Sequence, residues 1–364
     1  MLDKNSPPAA KQGGPRTPLG QLPRLRADGT LPGAPVLYAM RDGQGPHYLM
    51  GGLVATLIAR PEDTAQAYSA TILSGGMDAE LPLHTHAETD EAIYILDGRV
   101  ELWLDDRLHL MTAGDYAFVP AGTLHGHRMK SHRARILTWA IGAKLGGMWE
   151  ALGTVFPRPV HPETPCAPLG EAQMDAASNA ADVSFRGPVP AQTPVLVEAT
   201  EIPEGYSPYV LRAGEGEHLV AADQLFTFLQ TRATSQERFI TVMTEGPTGP
   251  AIPWHYHEHH AENFFCVDGQ MTMWVNGEEI HLNPGDYMQV PAGTVHSYRL
   301  DTPYTRFLGW LVPPVFEPFF RYVGDPTEMT TFPVEPPPFR FDRVLAHLDE
   351  LDLQVLTVRN PASA

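Results

Sequence analysis

Short apolar and alternating runs, broken by Gly-, Asp- and Asn-containing turns, recur along most of the chain. In "EAIYILDGRVELWLDD", from Glu91, two runs rich in branched and aromatic side chains flank Asp97-Gly98, a dipeptide that signals a hairpin. "NFFCVDGQMTMWVNGEEIHL", from Asn263, supplies Asp268-Gly269 and then Asn276-Gly277, which predicts two successive hairpins. Many short strands joined by tight turns predict an all-β chain built as an antiparallel barrel or sandwich. The exception lies near the C-terminus. There Phe341, Val344, Leu345, Leu348 and Leu351 fall at helical spacing and predict a helix packed on the β structure or on a partner chain.

The pattern is written twice. An offset of 171 residues carries His84 onto His255, His86 onto His257, Glu91 onto Glu262 and Gly98 onto Gly269. The same offset lays "GDYAFVPAGTLH", from Gly114, on "GDYMQVPAGTVH", from Gly285, and "GQGPH" on "GEGEH", without a gap. Chance does not keep register over such a length, so the chain holds a duplicated domain. The expected organisation is an arm over 1–35, a first unit over 36–155, a connector over 156–190, a second unit over 191–325 and a C-terminal extension with its helix over 326–364. The arm is Pro- and Gly-rich and locally basic, and the connector is Pro-rich and then Ala-rich.

Composition narrows the setting. A formal net charge of -18 argues against a nucleic-acid partner. No stretch approaches the ~20 apolar residues of a membrane span, and the arm has no apolar core of signal-peptide length. With only Cys166 and Cys266, far apart, a disulfide framework is not supported and a cytoplasmic location is expected. Cys266 stands in the apolar run "NFFCV", as a buried small side chain rather than a nucleophile.

The chemistry lies in the repeated polar residues. Residues two apart on a strand face the same way, so His84 and His86 share a face, as do His255 and His257. Glu91 and Glu262 open the next apolar runs, and His125 and His296 follow a Pro-Ala-Gly-Thr turn. A lone histidine in such a place is more often structural. Four candidates at matching spacing in both copies predict a metal centre in each unit, because burying several titratable groups is costly unless they are paired or coordinated. The repeat also sorts the neighbours. Glu258, His259 and His260 map onto Ala87, Glu88 and Thr89, and His127 onto Tyr298, so these extra polar groups are expected at the rim or behind the ligands. Without thiolates, three imidazoles and a carboxylate suit a divalent first-row ion, iron or manganese first, with cobalt or nickel also compatible. Such a set leaves one or two coordination places open for water, dioxygen or a substrate oxygen.

These motifs resemble the cupin superfamily. Gly249, His255, His257, Glu262 and Gly269 match its first motif, and Gly114, Pro120, Gly122 and His125, with Gly285, Pro291, Gly293 and His296, match its second. The first unit departs by the placing of Gly76, and both units carry Met129 or Leu300 where the second motif ends in Asn, a position that is not a ligand. The resemblance implies two tandem jelly-roll-like β-barrels. From about Tyr38 to the C-terminal helix, the chain most resembles the bacterial bicupin quercetin 2,3-dioxygenases, through "GQMTMW", "LNPGDY", "VPAGTVHSYRLD" and "FEPFFRYVGDP". That implies dioxygen insertion into a flavonol or related phenolic, with a depside and carbon monoxide as products. His84, His86, Glu91 and His125 carry over as the first catalytic set, with Glu91 as general base. His255, His257, Glu262 and His296 carry over as a second metal set, with Glu262 as a second candidate base. Ile93, Ile95, Phe118, Phe264, Met271, Met273 and Trp274 are candidate walls for a flat ligand, or barrel core. The terminal helix and the resemblance are compatible with a homodimer.

Two other readings stay open on sequence. An oxalate decarboxylase-like bicupin shares the ligands but needs an arginine in its pocket, and Arg128 and Arg299 fall at odd spacing from their histidines. A non-enzymatic metal- or ligand-binding bicupin is the other, although all eight ligand positions stand here.

Overall fold

The computed structural model describes residues 22–164 and 166–356, so the arm as far as residue 21 lies outside the described residues. Each repeat packs two sheets about an apolar core. The first pairs an eight-stranded sheet, with Leu53–Ala59, Tyr68–Gly75, Ala134–Ile141 and Asp90–Asp97 at its centre, with a six-stranded sheet that holds Glu80–Thr85, His125–Met129 and Arg99–Leu104. The second pairs an eight-stranded sheet, centred on Glu262–Asp268, Thr305–Leu311, Ile240–Gly246 and Gln224–Gln230, with a five-stranded one that holds Met271–Val275, His296–Leu300 and His255–Tyr256. The chain is all-β with few helices, as the turn-rich pattern predicts. Period-two alternation places the core: Val100, Leu102 and Leu104 from one sheet meet Ile93 and Ile95 from the other, all buried in one cluster.

Two of the three predicted hairpins are not hairpins. Asp90–Asp97 pairs with Ala134–Ile141 and Tyr116–Val119, never with Arg99–Leu104, which belongs to the facing sheet. The Asp97-Gly98 and Asp268-Gly269 turns therefore carry the chain from one sheet to the other. The glycines are needed there. Gly98 and Gly269 have φ of 78° and 73°, and a Cβ on Gly98 would stand 2.5 Å from the Arg133 carbonyl oxygen. Only Asn276-Gly277 closes a true hairpin, between Met271–Val275 and Glu278–Leu282. A tight turn reverses the chain in either case, and the shared core between the sheets decides which strand it meets.

The halves exchange a strand. Tyr38–Met40 joins the second repeat's sheet, with Tyr38 opposite Gln289, while its equivalent Tyr209–Leu211 joins the first repeat's sheet, with Tyr209 opposite Phe118. The hydroxyl of Tyr38 donates back to the Ile58 carbonyl at 3.0 Å, and that of Tyr209 to the Leu229 carbonyl at 2.6 Å. Between the halves, the equivalent residues Trp139 and Trp310 stack at 4.8 Å and 13°, fully buried with Tyr116 and Tyr287 beside them. Asp90 adds an ion pair with Arg238 at 2.6 Å.

Later segments complete the smaller sheets. Ser184–Gly187 adds to Glu80–Thr85, and Gln354–Val355 adds to His255–Tyr256. The terminal helix is short, Phe341–Ala346. Val344 and Leu351 are buried, but Leu345 is 52% exposed, so the predicted apolar face is only partly used. Cys266 is fully buried, and burial, followed by the nearby Asp286 and Asp268, pushes its thiol up to about 12. It is a core residue, as its apolar neighbours predict.

Because the Trp139–Trp310 stack fills the junction, Trp310→Ala is expected to cost about 3–5 kcal/mol of stability, as large-to-small core changes do. Chemical denaturation of the full chain followed by far-UV circular dichroism checks this. A loss under about 1 kcal/mol, in the range of surface changes, would show that the stack is dispensable.

Candidate metal centres

His84 is the last residue but one of the strand Glu80–Thr85, and His125 opens the neighbouring strand His125–Met129, where the two stand directly opposite in register. Glu91 comes from Asp90–Asp97 of the facing sheet, and His86 from the connection between them. The second repeat does the same, with His255 opposite His296 and Glu262 opening Glu262–Asp268. Each centre thus bridges the two sheets of its unit. One ligand atom from each of His84, His86, Glu91 and His125 lies within 4.8 Å of the others, and so it is for His255, His257, Glu262 and His296. Glu91 Oε2 is 3.0 Å from His125 Nε2 and 3.6 Å from His86 Nε2, and Glu262 Oε2 is 3.0 Å from His296 Nε2.

The imidazoles are oriented as ligands. His84 Nδ1 lies 2.8 Å from the Pro82 carbonyl, His125 Nδ1 2.9 Å from that of Thr123, and His86 Nδ1 2.5 Å from that of Asp182. His255, His296 and His257 repeat the set with Pro253, Thr294 and Asp352 at 2.8, 2.9 and 2.5 Å. A carbonyl oxygen only accepts, so each Nδ1 carries a proton, and in the neutral ring each Nε2 presents its lone pair inward. His86 Nε2 and His257 Nε2 are buried with no hydrogen-bond partner. Such orphaned lone pairs facing a carboxylate fit a divalent cation. Burial, joined by the neighbouring imidazoles, pushes His84 well below the ordinary histidine range, and burial followed by His296 takes His255 to about 3. Burial alone would raise Glu91 and Glu262, but the histidines around each outweigh it and hold both well below the usual carboxylate range. Neutral imidazole and ionised carboxylate are the states that bind a cation.

Two residues that the sequence reading passed over anchor these loops. Asp182 accepts from the Ala87 and Glu88 amides at 2.8 and 2.9 Å and from the Thr89 hydroxyl at 2.8 Å, while its own carbonyl orients His86. Asp352 accepts from the Glu258 and His259 amides at 2.8 and 2.9 Å and from His260 Nδ1 at 2.7 Å, while its carbonyl orients His257. Asp182 and Asp352 are 170 residues apart, one short of the repeat, so extending the repeat with a single gap aligns "ADV" with "LDL". His260 is buried behind the second centre, its Nε2 4.0 Å from Glu262 Oε1. His127 points into the first unit's core, where burial lowers it to about 4, and its equivalent Tyr298 bonds Gln224 at 2.8 Å.

A cavity of about 360 Å³ lies inside the second unit and reaches His255 and Glu262. Phe226, Phe264, Phe307, Phe316, Phe319 and Tyr298 form much of its wall. Of the seven apolar candidates named from sequence, only Phe264 lines it; Ile93, Ile95, Met271 and Met273 are core, and Phe118 packs between the units. Among the described residues, no arginine lines it. Arg128 pairs with Glu80 and Glu101, and Arg299 with Asp301, away from both centres.

Comparison with known proteins agrees with this geometry. The cupin domain family model matches residues 71–140 and 241–305, one match in each unit. Quercetin 2,3-dioxygenase of Bacillus subtilis is 44% identical over 328 residues, which cover 90% of this chain and 97% of that protein. The chain belongs to the bicupin quercetin 2,3-dioxygenase family. Quercetin 2,3-dioxygenase of Aspergillus japonicus is 33% identical over 139 residues, 36% of this chain and 40% of that protein. Among solved structures, oxalate decarboxylase of Bacillus subtilis aligns with a TM-score of 0.49 at 16% identity, over 74% of each chain. Among the described residues, no helix is long and apolar enough to cross a membrane.

Because the carboxylates of Asp182 and Asp352 hold the loop that follows each second histidine, Asp182→Ala and Asp352→Ala, which leave the orienting carbonyls in place but free that loop, should each weaken one centre by about 10–100-fold in metal affinity. Competition against a metallochromic chelator checks this. Two ions held as tightly as in the wild type would refute the anchoring role.

Proposed function

We propose that the protein is a metal-dependent dioxygenase that adds both atoms of one dioxygen to the heterocyclic ring of a flavonol such as quercetin. The ring opens to a depside and carbon monoxide leaves, so every atom of flavonol and dioxygen reappears in the products. The observation that supports this reading best is the aromatic chamber that touches the second ligand set. Its volume falls in the range of pockets for small organic ligands, and its flat, apolar walls suit a polyphenol.

The roles follow from position. Phe226, Phe264, Phe307 and Phe316 sandwich the ring system and keep water from the reacting carbons. Glu262, on the chamber wall, takes the proton of the flavonol 3-hydroxyl and leaves an electron-rich enolate-like ring. A bound divalent cation, iron or manganese on this donor set, with cobalt or nickel also compatible, supplies Lewis-acid polarisation of a phenolic oxygen. Resemblance ranks Glu91 before Glu262 as the base; the chamber supports the reverse order. Among the described residues the chamber wall carries no arginine, which disfavours a small dicarboxylate. Two cysteines that form no disulfide fit the cytoplasm.

Protein loaded with either ion and mixed with quercetin in air is expected to bleach the flavonol absorption and release one carbon monoxide per dioxygen consumed. Glu262→Gln should lower kcat by about 100-fold or more, and Glu91→Gln by less, with metal content measured on each. Absence of bleaching from fully loaded protein would end the reading; a Glu262→Gln variant as fast as the wild type would end the base assignment.

A further inference from the structure

The duplication makes each centre a control for the other, and one pair of equivalent positions departs from the pattern. Thr138 in Ala134–Ile141 corresponds to Gly309 in Thr305–Leu311, and each strand runs beside the one that carries the glutamate. The Thr138 hydroxyl donates to Glu91 Oε1. Glu91 Oε2 stands 3.0 Å from His125 Nε2, as Glu262 Oε2 does from His296 Nε2, so the two carboxylates differ at Oε1. Gly309 has no side chain to offer. The nitrogens near Glu262 Oε1 are His257 Nε2 at 3.3 Å and His260 Nε2 at 4.0 Å, on rings whose Nδ1 faces the Asp352 carbonyl and carboxylate. Gly309 and Glu262 both line the chamber.

From this difference we infer that Thr138 confines the first centre to holding its ion, and that glycine at 309 leaves the second carboxylate free to meet substrate. A buried carboxylate oxygen that accepts a hydroxyl proton is fixed in direction, which favours a ligand and hinders a base that must reach a new partner. Without that donor, the carboxylate keeps a lone pair and room on its chamber side. Thr138 and Gly309 are positioning residues that act through Glu91 and Glu262. The second half of the inference rests on the flavonol reading; the first half, on ion retention, does not.

The test uses the full chain loaded with manganese. Gly309→Ser restores the hydroxyl, and Gly309→Ala adds the same Cβ without it; the nearest atom to that Cβ is the Asn263 carbonyl oxygen at 3.1 Å, so both need a similar small adjustment. With two ions retained, Gly309→Ser should show kcat about 10-fold below Gly309→Ala, with KM within about twofold. Thr138→Val should release one of the two ions to a chelator about 10-fold faster than the wild type, and Thr138→Ser should restore slow release. Equal kcat for the two variants at 309, or unchanged release from Thr138→Val, overturns the inference. Wild-type protein inert towards flavonols would instead sink the functional reading, and the release experiment would still decide the role of Thr138.

Discussion

A buried imidazole can offer a cation only one nitrogen, and the other must be satisfied or the ring will turn. Everything at both centres depends on that constraint. Six backbone carbonyl oxygens take the six Nδ1 protons, and six Nε2 lone pairs are left to converge on Glu91 and Glu262. Removing a carbonyl from its place would leave a buried N–H unpaired, a cost of about 1–3 kcal/mol, so the rings are locked as well as aimed. Four of the carbonyls lie two residues before their histidine, within the same turn or strand. The other two belong to Asp182 and Asp352, roughly a hundred residues along the chain, whose carboxylates also gather the loop that follows each second histidine. Strand addition by Ser184–Gly187 and Gln354–Val355 brings those aspartates into place, so the site and the completion of the smaller sheet are one event.

The junction between the halves obeys a second constraint. Each repeat gives its first strand to the other's sheet, and Trp139 stacks on Trp310 where the two meet. Neither core can be completed alone, since Tyr38 and Tyr209 bury their rings between the units and tie their hydroxyls back across the junction. Duplication has thus produced one folded body with two centres rather than two independent ones. Within that body the centres differ where the equivalent residues do: Thr138 against Gly309, Thr89 against His260, His127 against Tyr298.

What could be read in advance follows the range of the interactions. The histidine and glutamate sets were legible because strand alternation and an unbroken repeat are local facts. The Asp97-Gly98 and Asp268-Gly269 turns were visible too, yet their partners were not, because a reversal looks the same whether the next strand pairs or crosses to the facing sheet. The chamber wall was hardest. Met271 and Met273 sit near the motifs but fill the core, while Phe316 and Phe319, far from any ligand in sequence, line the cavity.

The sequence by itself determined the fold class, the duplication and the eight candidate ligand positions, because each rests on spacing along the chain and on the chemistry of single side chains. Only the tertiary structure decided which carbonyls aim the second histidines, which aromatic side chains wall the chamber beside His255 and Glu262, and which glutamate accepts from a threonine hydroxyl. Those outcomes depend on distances between strands that pair far apart in sequence, and no local pattern records them.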